Sequence, residues 1–82
     1  EAQLLKPISK DEAKEGDVIE CIDPDTTKRH MGIVGGIENG KRMVYDNYGG
    51  IFRKEPLDLR FASYPEEQRH YYRPYLPPKA SN

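Results

Sequence analysis

Arg29-His30-Met31-Gly32-Ile33-Val34-Gly35-Gly36 runs into Ile37-Glu38-Asn39-Gly40 and on through Lys41-Arg42-Met43-Val44-Tyr45-Asp46-Asn47, and this stretch decides the fold. Asn39-Gly40 supplies the residues that tolerate φ > 0 in a tight turn, so the stretch reads as a β-hairpin. Alternation places His30, Gly32 and Val34 on one face of the first strand, with Met31 and Ile33 on the other. On the second strand Val44 and Asp46 share a face, and Met43, Tyr45 and Asn47 take the opposite one. Antiparallel pairing sets the start of one strand beside the end of the next. His30 and Asp46-Asn47 are therefore expected at one end of the sheet. A histidine beside a carboxylate or an amide is the base-and-orienter half of a nucleophilic site. Asp46 would hold the ring and favour the imidazolium, whereas Asn47 would hold it without the charge effect. Only one of the two shares the cleft side, and the pattern leaves both open.

Upstream of the hairpin, Gly16-Asp17-Val18-Ile19-Glu20-Cys21-Ile22 reads as a β-branched strand that stops at Asp23-Pro24-Asp25. The polar loop Asp23 to Lys28 lacks the glycine and terminal glutamate of a calcium loop, so it reads as a solvated turn. Before it, Ser9-Lys10-Asp11-Glu12 has the form of a capping box, and a single helical turn is expected over 11–15, ended by Gly16. Residues 1–6 read as a short strand, a linker or the end of a helix. Downstream, Gly49-Gly50 marks a turn and Ile51 to Lys54 a short strand. Leu57 and Phe61, four apart, would share one face of a helical turn. Arg69 to Tyr75 forms the last strand, and the proline-rich residues 76–82 a flexible tail.

These elements define three segments: a lead-in over 1–15, an antiparallel β domain over 16–75 and the tail over 76–82. The expected fold is mainly β, a small curled antiparallel sheet of about five strands shaped as a half-barrel of SH3-like kind. Gly32, Gly35 and Gly36 fit a sheet that bends or is closely approached.

Composition narrows the function. With 82 residues and a net charge of −1, the chain is one small domain with no electrostatic case for nucleic acid or an anionic membrane. The basic residues Arg53, Lys54, Arg69 and Arg73 are interleaved with Glu55, Asp58, Glu66 and Glu67, a mixed solvated surface. No apolar run has the length of a membrane span. The single cysteine, Cys21, excludes a disulfide framework and a four-cysteine zinc site, and the histidines His30 and His70 lack paired spacing, so no metal is expected. The first residue is Glu1, which points to a piece of a longer polypeptide. Six tyrosines supply core area with polar tips or, if exposed, a stacking surface.

Gly16-Asp17-Val18-Ile19, His30-Met31-Gly32-Ile33-Val34 and Val44-Tyr45-Asp46-Asn47-Tyr48-Gly49-Gly50, in that order, resemble the C-terminal half of papain-like cell-wall cysteine hydrolases, the group of NlpC-type peptidases and CHAP amidases. Arg69-His70-Tyr71-Tyr72-Arg73 is similar to the closing strand of such domains. The resemblance covers about residues 16–75 and implies the β part of an α+β fold. His30 matches the base and Asp46 the polar third member, with Asn47 the runner-up. It implies amide-bond cleavage, with peptidoglycan peptides as substrate and no cofactor. It also implies a secreted, periplasmic or wall-delivered location. The departure lies in the nucleophile, which in these enzymes sits upstream on a helix. Cys21 lies inside a strand, where no helix dipole stabilises a thiolate. On this reading the nucleophilic cysteine sits on a removed or separate segment, or the site is inactive. The competing expectations are an SH3-like module that binds peptide or glycan without catalysis, and a regulatory protein that imitates half of such a domain. An open apolar face beside His30 would favour the hydrolase half, and an aromatic groove around a buried one the module.

Overall fold

The computed structural model describes residues 4–76. It contains strands β1 (Leu4–Ile8), β2 (Val18–Ile22), β3 (Arg29–Glu38), β4 (Lys41–Tyr48), β5 (Ile51–Pro56) and β6 (Arg69–Tyr75), with one helical turn, α1 (Leu57–Arg60), and a 3₁₀ turn at Glu66–Gln68. The strands form one unclosed, wholly antiparallel sheet in the order β1-β6-β2-β3-β4-β5. The fold is mainly β, as the sequence indicates. The sheet has six strands rather than about five, because Leu4–Ile8 pairs with β6 from Leu4↔Tyr75 to Ile8↔Tyr71. The proposed flexible tail lies outside the described residues except for Leu76.

β2 to β5 form a meander, and glycine placement sets two of its three turns. Asn39 (φ 52°) and Gly40 (φ 77°) connect β3 to β4, and Gly49 (φ 62°) and Gly50 (φ 85°) connect β4 to β5. Both are two-residue turns with φ > 0 at each central position, matching the right-handed twist of the strands they join. The β3–β4 register shifts between Val34 and Ile37, at Gly35-Gly36. This bulge bends the strand where the sequence carries consecutive glycines. The capping box closes as written: Ser9 N–H donates to Glu12 Oε1 (3.0 Å) and Glu12 N–H to Ser9 Oγ (3.2 Å). It caps a tight turn and no helix, since 13–15 are irregular and Gly16 N–H already donates to Val34 O (2.9 Å).

One face of the sheet carries the core. Ile19, Cys21, Val34, Val44 and Tyr71 from the strands pack against Leu57, Phe61 and Tyr64 from the segment that leads away from β5. Leu57 and Phe61 share the inward face of α1, as their spacing predicts. Arg69 ties this cover to the sheet: its Nε donates to Tyr64 O (2.9 Å) and its Nη2 to Phe61 O (2.8 Å). The opposite face of β3–β5 is largely open, although Met43 on it is buried. Met31, Ile33 and Phe52 are 52%, 42% and 68% exposed. No helix among the described residues is long and apolar enough to cross a membrane.

Candidate functional site around His30

His30 lies in the second position of β3, directly opposite Cys21 of β2. Its side chain is half-buried on the covered face, where its ring meets that of Tyr64 at 5.8 Å between centroids. Two positions on, Gly32 presents no side chain. A Cβ there would stand 2.6 Å from Val44 Cγ2, 3.1 Å from Tyr45 O and 3.6 Å from Asp46 Cβ. Gly32 and Asp46 are thus side by side on the covered face, and extending the β3–β4 register back from Ile33↔Tyr45 would set His30 one diagonal step from Asp46. Across an antiparallel pair that step spans roughly 7–8 Å, within reach of long side chains. Of the two candidate orienters, Asp46 is therefore the one on the histidine's face.

Asp46 is 2% exposed. Its Oδ2 accepts from Nε of Arg60, at the end of α1, in a buried ion pair. Arg60 also lies over the Phe61 ring at 4.9 Å. The other carboxylate oxygen, Oδ1, is buried and has no hydrogen-bond partner among the described residues. Buried carboxylate oxygens are normally satisfied, so this acceptor is unusual. No hydrogen bond or ion pair joins His30 to Asp46 among the described residues.

Asn47 occupies the other face. It is exposed, and its Oδ1 accepts from Gly50 N–H (3.0 Å), so it fixes the β4–β5 turn. A carboxylate that sequence reasoning passed over as an orienter also interacts with His30. Asp23, just after β2, accepts from the N–H groups of Asp25 (2.8 Å) and Thr26 (3.2 Å) through Oδ1. Those N–H groups first, and His30 as a smaller influence, hold its pKa below the usual value.

Cys21 is fully buried, and burial pushes its thiol pKa up to about 11. Tyr64, the ring beside His30, is also shifted upward by burial. The neighbourhood thus contains a histidine, a buried carboxylate with one open oxygen, and a thiol held protonated. Arg60 and Tyr64 belong to it too. Neither was legible from the sequence, because α1 and the turn after it fold back over strands far from them in sequence. Among the described residues no group of three or more His, Cys, Asp or Glu is placed to hold a metal ion.

Comparison with known proteins adds no relatives: no family model, no curated protein and no solved structure matches the chain.

Proposed function

We propose that this chain supplies the base and the orienting carboxylate of a papain-like cysteine hydrolase that cleaves amide bonds, with peptidoglycan peptides as the substrate class. The nucleophilic cysteine is carried by another polypeptide segment. The observation behind this reading is the unpartnered, buried Oδ1 of Asp46, on the sheet face that also carries His30. An acceptor in that position suits an imidazole N–H.

In this scheme one ring nitrogen of His30 takes the proton from the incoming thiol, and the other donates to Asp46 Oδ1. The thiolate adds to the amide carbon. The C–N bond then breaks as the imidazolium returns its proton to the leaving amine, which gives a thioester. Water, deprotonated by the same ring, hydrolyses that thioester and regenerates the thiol. Cys21 has no part in this, since its thiol is buried and protonated at neutral pH.

The test uses the native protein with every segment that accompanies it, assayed on peptidoglycan peptides. Turnover should be blocked by iodoacetamide at a cysteine other than Cys21, abolished by His30→Ala, and sharply reduced by Asp46→Asn but not by Asp23→Asn. Circular dichroism reports the folding of each variant. Activity that survives His30→Ala, or a native protein without a second cysteine, overturns the assignment.

Two observations favour the non-catalytic alternative. The sheet face that carries His30 is covered by Leu57, Phe61 and Tyr64, where a docking half would leave it open. Tyr45 and Phe52 stack on the opposite, largely open face (6.0 Å between centroids, 9° between planes) and border a shallow hollow of about 250 Å³ with Met31 and Ile33. In the binding-module reading an extended peptide lies there. Titration with such peptides, followed through the amide resonances of Met31, Ile33, Tyr45 and Phe52, would show shifts confined to this face. Shifts at His30 and Tyr64 instead would argue for the catalytic reading.

A further inference from the structure

β5 is one edge of an unclosed sheet, and its backbone is patterned for a partner. The closing pair Tyr48↔Ile51 flanks a two-residue turn, so it exchanges both backbone bonds, and bonded pairs recur at alternate positions: Asp46↔Arg53, then Val44↔Glu55. The intervening residues Phe52, Lys54 and Pro56 therefore turn their backbone groups to the free edge, with Pro56 offering only its carbonyl. Exposed edges of this kind are templates for another strand.

We propose that β5 pairs antiparallel with β5 of a second copy of this chain, across a two-fold axis through Lys54. Such an axis stands perpendicular to the sheet and matches residues of the same face. Centred on Lys54, it sets Arg53 against Glu55 of the second copy, twice, and Phe52 against Pro56. Centred on Arg53 or on Glu55, it would oppose like charges. Arg53 and Glu55 lie on one face of the strand and already pair within it (3.2 Å), so the dimer extends an existing charge pattern. The remaining like-charge contact, Lys54 against itself, is relieved because Glu38 Oε2 holds each Lys54 Nζ at 2.7 Å. In this register Lys54 N–H and C=O bond reciprocally at the axis, and each Phe52 N–H donates to a Pro56 carbonyl. The pairing also brings the exposed Phe52 (68%) of each copy against a proline ring. This contact uses the outward backbone groups of β5, which the catalytic scheme does not use, so it holds or fails independently of the catalytic reading.

Sedimentation equilibrium from micromolar to millimolar chain concentration tests it. The mass should rise from one chain to two. Arg53→Glu should move the midpoint at least about tenfold to higher concentration, because both ion pairs become repulsive. Arg53→Glu with Glu55→Arg should return it to the wild-type position. Arg53 is 46% and Glu55 21% exposed, and Arg53 lies across from Asp46, so circular dichroism checks the fold of each variant before the midpoints are compared. In the wild-type protein, hydrogen exchange at the Phe52 and Lys54 amides should slow with concentration, while the Arg53 amide, already bonded to β4, should not respond. A monomer at every concentration, a dimer indifferent to Arg53→Glu, failure of the double variant to restore it, or exchange at Phe52 and Lys54 that ignores concentration overturns the proposal.

Discussion

Cys21 and His30 face each other across β2 and β3, yet the thiol is fully buried while the imidazole is only half-buried. A cysteine and a histidine in register look like a catalytic pair. Burial decides against it, because desolvation destabilises the thiolate.

With a pKa near 11, about a thousandth of Cys21 is thiolate at pH 8, and none of it is exposed. Iodoacetamide should leave the native protein unlabelled over hours and label it readily in urea. Cys21→Ala should cost about 1 kcal/mol in urea unfolding, as small core truncations do. Rapid native labelling would show that the covered face opens.

Gly32→Ala should destabilise the fold by about 1–3 kcal/mol. The added methyl would meet Val44 Cγ2 at 2.6 Å and the Tyr45 carbonyl at 3.1 Å, and a backbone oxygen in a sheet yields little. Urea unfolding measures this directly. By contrast Gly36→Ala meets nothing closer than Glu15 Oε1 at 3.4 Å and should be much milder.

Removing Arg60 strands a carboxylate that is 2% exposed. Arg60→Ala should cost about 3–5 kcal/mol, the range for breaking one side of a buried pair. Replacing both partners by apolar residues, Asp46→Leu with Arg60→Met, should recover most of that loss in thermal unfolding. A double variant as unstable as Arg60→Ala would mean that packing around Arg60, rather than charge compensation, dominates.

Asp17 is the buried carboxylate whose pKa the fold lowers, so it contributes to acid sensitivity. Arg73 is the main influence on it, with its Nε 3.1 Å from Oδ1 and its Nη2 3.0 Å from Oδ2, and Lys14 N–H donates to Oδ2 at 2.9 Å. Together they hold the Asp17 pKa below its usual value although burial acts the other way. A pKa depressed in the folded state adds stability that is complete above the ordinary carboxylate range, about pH 4, and is lost as pH falls through the folded value. Asp17→Asn should therefore flatten the acid limb of the stability curve. At neutral pH it should cost about 1–2 kcal/mol, moderated because Arg73 is 34% exposed.

The hairpin and its neighbours were legible because local chemistry dictates them. Asn39-Gly40 and Gly49-Gly50 reach positive φ at little cost, as tight two-residue turns require. β1 was ambiguous for the opposite reason. Leu4-Leu5-Lys6-Pro7 has little strand character of its own, and pairing with β6, which arrives at the far end of the chain, makes it a strand. The same holds for the arginines. Arg69 and Arg73 read as solvated charges, yet the Arg69 side chain is 8% exposed and Arg73 binds a buried aspartate.

For the candidate site, strand alternation brought out the positions of His30 and Asp46. The carboxylate's actual partner could not be read, because Arg60 reaches Asp46 only after the chain has passed through β5 and turned back. Asn47 looked equivalent to Asp46 in sequence. The pleat separates them, giving one to the core face and the other to a turn.

The pairing of Leu4 with Tyr75 also sets how this sheet can be joined to other polypeptide. Entry and exit lie side by side at one edge, and β5 lies at the other. A connection between entry and exit, with a cut at Gly49-Gly50, would preserve every strand pair and give the chain new ends beside β5. The same proximity would let the whole sheet be spliced into a surface loop of a host protein without pulling its first and last strands apart.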